Sequence, residues 1–153
     1  MKKRGFEVIT EYTNKSINIP YRKTKYSAGY DIEAAEDVVI PSFNNEKKPT
    51  LVKTGLKAYM EDDEVLYLYN RSSNPKKKGL ILANSVGVVD KDYYNNTDNE
   101  GHIMFAFYNV GNNDVTIKKG EAIGQAVFSK YLVTDDDMAD GERTGGFGST
   151  DKN

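Results

Sequence analysis

The chain has 153 residues, of which 38% are apolar and 29% charged, and its net charge is −2. This length and composition fit one globular domain with its own core, and the charge balance excludes a domain that grips long nucleic acid through its phosphates. There is no run of about 18 apolar residues, so no membrane span is predicted. The basic N-terminus lacks the apolar stretch of a signal peptide, which favours a cytoplasmic location.

Short segments rich in β-branched and aromatic residues predict strands throughout the sequence. In chain order these segments are 5–9, 31–34, 36–40, 65–69, 80–84, 103–108, 115–117 and 126–133. The polar turn segments that separate them include 61–64, 74–79, 109–114 and 118–121. No amphipathic helix longer than about two turns is evident. Many short strands with frequent turns predict an all-β barrel or a jelly-roll-like sandwich.

Two segments fall outside this strand pattern. Residues 42–49 form a polar connector, and residues 135–153 combine an acidic run at 135–137 with a glycine-rich stretch around Phe147. Glycine and small hydroxyl residues leave the backbone mobile, whereas an exposed aromatic ring needs a partner. The sequence therefore predicts a domain over 1–134 and a flexible tail over 135–153 that closes over a ligand as a lid.

The sequence contains no Cys, and His102 is its only histidine. These counts exclude disulfides, thiol catalysis and a zinc site of the His/Cys kind. They also leave His102 as the only histidine that a Ser-His-Asp triad could use. Because His102 lies between Gly101 and an apolar run, we predict that it is a surface histidine at a loop-to-strand junction.

Polar residues occur at strand ends in two early stretches. In SAGYDIEA (27–34), Asp31 is either a turn residue or a functional carboxylate. In NRSSNP (70–75), Arg71 offers a planar fork of donors, and Ser72 and Ser73 offer hydroxyls. This set suits an oxyanion such as phosphate, and a capped turn uses the same residue types.

Three later stretches also fit either a structural turn or a functional site. NSVGVVDKDYYNN (84–96) is typical of a hairpin in which Asp90 either ends a strand or lies in a partly dry cleft. The second case suits a general base, because desolvation raises the pKa of a carboxyl group. Gln125, in GEAIGQ, needs hydrogen-bond partners if it is buried. The tail sequence GGFGST resembles a phosphate cradle, but no Lys follows the glycines as in a P-loop.

In this order, AGYD, RSS, GVVDKDY, GEAIGQ and GGFGST resemble the five motifs of the trimeric dUTPases, over residues 26–150. RSSNPKKKG and DYYNN are most similar to dUTPases of Gram-positive bacteria and their phages. The resemblance implies a jelly-roll-like β-barrel, a homotrimer, and active sites built from three subunits with the tail exchanged to a neighbour. It also implies hydrolysis of dUTP to dUMP and pyrophosphate, which limits uracil incorporation into DNA and supplies dUMP for dTMP synthesis.

The resemblance assigns roles around the scissile bond. Asp90 would orient and deprotonate the water that attacks the α-phosphate. Arg71 and Ser72, with Ser73 beside them, would hold the phosphates near that bond. Gln125 would contact the phosphate and solvent on the attacking side.

It also implies how base and sugar are read. Tyr93 would lie flat against the deoxyribose and leave no room for a 2'-hydroxyl. Asn84 and backbone groups of the hairpin 84–104 would recognise uracil, with Gly87 and Met104 in the substrate site. Phe147 would stack on the uracil ring.

The remaining implied contacts involve the γ-phosphate and the metal. Arg143, Ser149 and Thr150 would take the γ-phosphate, with Gly148 between them and the ring. Mg2+ would be the cofactor, held by the triphosphate and waters without direct protein ligands, and Asp31 would lie in its outer shell.

Three features depart from the family pattern. The hairpin continues through Tyr94-Asn95-Asn96 into TDNEG, a longer polar loop than the family's Arg-Gly or Gln-Gly. Only three residues separate Arg143 from Phe147, where four are common. Asp151 stands where a Gly often ends the motif and places a negative charge near the γ-phosphate position.

Two other functions fit parts of the sequence. A dCTP deaminase has the same fold, but it needs a Glu beside the base, and the hairpin has none before Glu100. A nucleotide-gated binding protein would present the exposed 97–100 and 135–137 segments to a protein regulator. Solvated loops that keep barrel edges soluble are the simpler explanation of those segments. We expect no direct contact with nucleic acid and none with membranes.

Overall fold

Eleven strands, one α-helix and two 3₁₀ helices form the regular structure of residues 1–146, the residues that the computed structural model describes. The strands β1 to β11 are Gly5–Val8, Tyr30–Glu33, Val38–Ile40, Thr50–Lys53, Leu56–Tyr59, Glu64–Asn70, Leu80–Leu82, Gly87–Asp90, Met104–Asn109, Val115–Ile117 and Ala122–Lys130. The helix α1 is Asn74–Lys78, and the 3₁₀ helices are Thr10–Tyr12 and Lys91–Tyr93. Within these 146 residues, no helix has the length and apolar character that crossing a membrane requires.

The strands pair antiparallel in four sheets that surround one core. The largest sheet has the order β2-β11-β6-β8, a second has the order β4-β9-β7, and two further pairs are β1-β5 and β3-β10. Leu66 and Leu68 of the first sheet and Phe105 and Phe107 of the second belong to the same buried cluster. The arrangement is a jelly-roll-like β-barrel, so the all-β prediction from the sequence is confirmed.

Several elements differ from their sequence predictions. Strands β4 and β5 were not predicted, because each has four residues and carries a lysine, which weakens the strand signal. A tight turn joins them at Gly55, whose φ of 71° lies in the left-handed region that favours glycine. The predicted turn 74–79 contains α1, and β11 covers 122–130 where 126–133 was predicted.

Gly124 lets β11 pack closely against the core. An added Cβ at this position would lie 2.4 Å from the ring of Phe105 and 2.8 Å from the carbonyl oxygen of Tyr69. Neither atom can move away cheaply, since one belongs to a packed ring and the other to a paired strand. Gly124 thereby fixes the position of the neighbouring Gln125.

His102 is buried, with 3% of its surface exposed, so its prediction as a surface residue is wrong. Its imidazole packs against the ring of Tyr12 with a centroid distance of 5.3 Å. The Nε2 atom accepts a hydrogen bond from Gly55 N at 2.9 Å. Both partners come from distant parts of the chain, which local sequence around His102 does not reveal.

We expect the fold to lose stability in mild acid through His102. Burial lowers the pKa of His102, with smaller opposing effects from Glu11, Glu36 and Glu100 and a lowering effect from Lys53. The unfolded chain binds this proton near pH 6.5 and the folded chain resists it. The free energy of unfolding should therefore fall as pH drops below about 6.5, and this loss ends below the folded pKa. Urea unfolding of wild type and His102→Gln at several pH values measures this loss of stability. If the difference in unfolding free energy between the two proteins does not change with pH, His102 is not its cause.

Candidate active site

A pocket with a volume of 270 Å³ opens beside the end of β8. Its wall is formed by β8, the following 3₁₀ helix, the start of β9 and the tail residues Arg143 and Gly146. Six predicted site residues line it, namely Asn84, Gly87, Asp90, Tyr93, Met104 and Arg143. The structure thus brings together the residues for which the sequence suggested contacts with base, sugar and water.

Two backbone features shape the floor and rim of this pocket. An added Cβ at Gly87 would lie 2.9 Å from the Cβ of Leu68, so only glycine allows β8 to approach β6 this closely. Asn84 is exposed at the rim, in a turn where Ser85 has a φ of 63° and Val86 N donates to the Asn84 carbonyl. Its exposure and its place in the pocket lining allow the Asn84 side chain to reach a ligand there.

Arg143 joins two carboxylates at the mouth of the pocket. Its Nη2 donates to Asp90 Oδ2 at 2.6 Å, and its Nε donates to Asp92 Oδ1 at 2.7 Å. The Asp90 side chain ends β8 and is 50% exposed, whereas that of Arg143 is only 17% exposed. Arg143 and Gly146 thus line the pocket of their own chain, and Arg143 places a cation on its carboxylate.

Tyr93 forms a buried wall of the pocket. Its hydroxyl donates to the carbonyl oxygen of His102 at 2.6 Å and accepts from Asn99 Nδ2 at 2.8 Å. Burial is the main cause that raises the pKa of Tyr93. Gly146 lies against the ring edge, where an added Cβ would come within 2.4 Å of a ring carbon. The tail can pass over Tyr93 only because glycine occupies this position.

The predicted hairpin 84–104 is wrong in its pairing. Strand β8 pairs with β6, and β9 pairs with β4 and β7, so the two arms belong to different sheets. Local alternation of apolar residues cannot distinguish these pairings, because they depend on strands that are distant in sequence. The pocket therefore lies between two sheets and is bordered by the 91–103 segment.

A second group of predicted site residues lies outside this pocket. Gln125 is directly opposite Asp31 across β11 and β2. Gly29 leaves room for the Gln125 side chain, because a Cβ added to Gly29 would lie 2.3 Å from Gln125 Oε1. Arg71 and Ser72 are exposed in the short loop before α1.

Two asparagines hold this loop, which also contains Ser73. Asn74 is buried and its Nδ2 donates to Asn70 Oδ1 at 2.8 Å and to the Ile123 carbonyl at 2.9 Å. Asn70 Nδ2 donates to the Leu80 carbonyl at 3.0 Å. The exposed donors of Arg71 and Ser72 are thus presented on a fixed backbone close to β11.

Asp90 and Gln125 share one face of the largest sheet but are far apart. Asp90 is opposite Val65 and Gln125 is opposite Tyr69 across the central strand β6. Four residues at about 3.3 Å each and two strand spacings of about 4.8 Å separate them by about 16 Å. One phosphate group cannot contact both side chains within a single chain.

Phe147, Gly148, Ser149, Thr150 and Asp151 lie outside the described residues, so their predicted contacts stay predictions. Among residues 1–146, no three side chains of His, Cys, Asp or Glu are grouped as a metal site.

The sequence did not indicate Asp92, Asn74, Asn99 and Gly146 as participants in or around the site. The DKDY repeat of carboxylates could have indicated Asp92, but the other contacts are long-range.

Taken together, the fold and the pocket define a jelly-roll protein with a small-ligand site that has a carboxylate and a guanidinium at its mouth. A family model described as dUTPase matches residues 15–151. A deoxyuridine 5'-triphosphate nucleotidohydrolase of Lactococcus lactis is 60% identical, with 98% of this chain and 99% of that protein covered. The chain belongs to the dUTPase family, and its similarity to a Gram-positive member agrees with the prediction from the motifs.

Solved structures agree with this assignment. A dUTPase from Streptococcus mutans has a TM-score of 0.79 and 49% identity, covering 86% of this chain and 98% of that one. A mutant dUTPase from phage phi11 of S. aureus, which coordinates a structural Mg(II) ion, has a TM-score of 0.69. Its identity is 17%, with 92% of this chain and 98% of that one covered, so this likeness concerns the fold alone.

Proposed function

We propose that this protein hydrolyses dUTP to dUMP and pyrophosphate by attack of water on the α-phosphate. The observation that carries the proposal is the convergence of Asp90, Asn84 and Tyr93 on one pocket with Arg143 at its mouth. The half-exposed Asp90 carboxylate can accept a hydrogen bond from a water at the rim, while a nucleoside occupies the interior. Membership of the dUTPase family supports the same substrate.

The chemical step is an in-line displacement. Asp90 takes a proton from the water while the oxygen forms a bond to the α-phosphorus. The bond from that phosphorus to the bridging oxygen breaks, and pyrophosphate leaves with its electron pair. Positioning and charge neutralisation supply most of the rate enhancement in such reactions.

Arg143 changes partners during this cycle. In the structure its guanidinium is bound to Asp90 and Asp92. A triphosphate offers a higher charge density than the exposed carboxylates, so we expect the guanidinium to move to the γ-phosphate. That movement frees Asp90 to bind water.

Base and sugar are read inside the pocket. Asn84 and backbone groups around Gly87 bind the uracil edge, and Met104 contacts the nucleoside. A buried Tyr93 ring against the deoxyribose leaves no space for a 2'-hydroxyl. Unpaired polar groups then penalise a wrong base or sugar by several kcal/mol. Phe147, Gly148, Ser149 and Thr150 complete the site from the tail.

The separation of about 16 Å between Asp90 and Gln125 supports a shared site in a homotrimer. One copy supplies Asp90 and the nucleoside pocket, and a second supplies Asp31, Gln125 and the loop of Arg71, Ser72 and Ser73. The tail comes from a neighbouring copy. The contacts of residues 143–146 within one chain mark the groups on the pocket that receive this segment.

Mixing two impaired variants tests the shared site. Asp90→Asn and Gln125→Ala chains, unfolded together and refolded, should be more active than the same chains refolded separately, because some sites combine an intact Asp90 with an intact Gln125. Sedimentation equilibrium should give three times the 17.2 kDa of one chain. Complementation that fails despite trimers would contradict the division of the site.

Mg2+ is the proposed cofactor, carried by the triphosphate and its waters. This ion prefers oxygen ligands and retains several waters when bound. The Asp31 carboxylate is one-third exposed, with Lys23 Nζ at 3.9 Å, so its oxygens can accept from such a water. When bound, the ion neutralises charge on the phosphates.

A substrate panel tests the reaction. Pyrophosphate release from dUTP, with dCTP, dTTP and UTP largely untouched, is the expected result. Ammonia release from dCTP would identify a deaminase. Such an enzyme needs a Glu beside the base, whereas the Glu100 carboxylate accepts hydrogen bonds from Thr10 N and Lys57 Nζ. The hydrogen bond from Lys57 is the main cause that lowers the pKa of Glu100. Binding of dUTP without turnover would instead support a nucleotide-gated binding protein.

Gly29→Ala should impair activity through Gln125 alone. The added methyl would displace the flexible end of the Gln125 side chain, so the fold should persist. We expect kcat/KM for dUTP to fall about tenfold, the value of one hydrogen bond to a charged group. In a Gln125→Ala background the same substitution should add little, because the displaced atoms are gone. Full additivity of the two effects would contradict this interpretation.

A further inference from the structure

The loop that follows Tyr93 is ordered by the side chain of Asn96, which is 8% exposed. Its Oδ1 accepts from the backbone N–H groups of Asp98 and Asn99 at 2.9 Å and 3.0 Å. Its Nδ2 donates to the Tyr93 carbonyl at 2.7 Å and to Asn99 Oδ1 at 2.8 Å. These four bonds fix the backbone of residues 96–99 and the orientation of the Asn99 amide.

Asn99 uses both ends of its amide. The Oδ1 atom accepts from Gly101 N at 3.0 Å as well as from Asn96. The Nδ2 atom donates to the Tyr93 hydroxyl at 2.8 Å. The assignment of oxygen and nitrogen follows from the partners, since the Gly101 and Asn96 groups are donors.

The loop is also tied to the barrel. Glu100 accepts from Thr10 N at 3.1 Å and from Lys57 Nζ at 2.8 Å. Lys57 Nζ also donates to Asn95 Oδ1 at 2.6 Å. Asn95 and Glu100 have positive φ values of 57° and 64°, which residues other than glycine maintain only in a well-held loop. A side chain presented by such a loop has little freedom to move.

We propose that Asn99 is a positioning residue that fixes the Tyr93 ring and thereby sharpens discrimination between deoxyribose and ribose. The inference rests on the proposed function for its substrate, and on the two bonds of the Tyr93 hydroxyl for its geometry. One bond, to the His102 carbonyl, leaves the ring free to tilt about that contact. The second bond, from Asn99, removes the tilt that would make room for a 2'-hydroxyl.

The longer loop after DKDY is therefore part of the specificity of this protein. Its sequence TDNEG supplies the donor to Tyr93 and the carboxylate that anchors the loop to Lys57. A shorter turn without these residues would leave the hydroxyl with the His102 carbonyl alone.

Asn99→Asp isolates the proposed contact. A carboxylate keeps the acceptors for Gly101 N and Asn96 but cannot donate to the Tyr93 hydroxyl. Asn95→Asp is the matched control, because it places the same charge in the same loop and retains the bond from Lys57. Asn99→Ser provides a neutral second variant if the carboxylate prevents folding.

The first readout is the ratio of kcat/KM for dUTP to that for UTP. Loss of one neutral hydrogen bond should reduce this ratio about three- to tenfold in Asn99→Asp. Asn95→Asp should leave it unchanged. In a Tyr93→Phe background, which has no hydroxyl, Asn99→Asp should have no further effect on the ratio. An equal loss in both backgrounds would overturn the proposal.

The second readout does not depend on turnover. In protein labelled with 13C at tyrosine Cζ, the resonance missing from Tyr93→Phe identifies Tyr93. Asn99 donates to the phenol oxygen and lowers the pKa of Tyr93, opposing burial, so this resonance should titrate at higher pH in Asn99→Ser, which removes the donor without adding a charge that would itself raise the pKa. An unchanged titration would overturn the contact. If wild type leaves dUTP intact while the titration shifts as expected, the proposed reaction fails and the contact stands.

Discussion

Asp90→Asn should abolish nearly all hydrolysis of dUTP. Asparagine has nearly the same shape but cannot accept the proton of the attacking water, so kcat should fall about 10²- to 10⁴-fold. The fold should persist, because the Asp90 side chain is half exposed and makes its only side-chain hydrogen bond within the described residues to Arg143. Pyrophosphate release under substrate saturation measures the loss, and binding of a non-hydrolysable dUTP analogue verifies that the pocket remains.

Asp92→Asn is the matched control for this prediction. Both carboxylates accept one bond from Arg143, and both are about half exposed. Asp92 does not line the nucleoside pocket. Since an exposed ion pair is worth about 1 kcal/mol or less, Asp92→Asn should cost no more than about fivefold. Equal losses in the two variants would show that these residues act by holding Arg143 and would refute the role of Asp90 in activating water.

Ending the chain after Glu142 should leave the barrel intact and reduce turnover severely. The truncation removes Arg143, which supplies the guanidinium, and Gly146, which lies over Tyr93. Loss of preorganised donors around the phosphates should lower kcat about 10²- to 10³-fold. The free energy of unfolding should change by about 1 kcal/mol or less, because residues 131–142 are exposed and none of residues 143–146 belongs to the buried apolar cluster.

Arg143→Lys tests whether the positive charge is sufficient without the planar guanidinium group. Lysine keeps the positive charge but cannot bind two carboxylates or phosphate oxygens in the same planar geometry. Its turnover should lie between that of wild type and that of the truncated chain. Sedimentation equilibrium should give the same assembly for all three proteins. If truncation dissociates the assembly, the tail has a structural role and the lid interpretation fails.

The contrast between predicted and observed elements has a physical pattern. Strand β6 has strong alternation over seven residues, and it was predicted almost completely. Strands β4 and β5 are four residues each, and their lysines obscure the alternation of buried positions. Short strands gain their stability from pairing with distant partners, such as β1 for β5. Local sequence therefore underestimates them.

For the site, the residue types were visible in the sequence but their grouping was not. Polar residues that interrupt the strand pattern indicated Asp90 and Gln125, and the resemblance to the dUTPase motifs indicated Asn84. That Asp90 and Gln125 lie about 16 Å apart follows only from the register of β8 and β11 against β6. The predicted 84–104 hairpin failed for the same reason, since pairing between distant strands is set by the whole barrel.

The all-β class, the order of the five motifs and the absence of cysteine are all evident from the amino-acid sequence. These properties depend on residue identity and on spacing along the chain. The tertiary structure alone decided that His102 is buried, that Arg143 bridges Asp90 and Asp92, and that Asn99 holds Tyr93. Each of these contacts depends on the direction of a side chain in a packed interior or in a well-held loop. Such directions are set by neighbours that only the folded chain brings together.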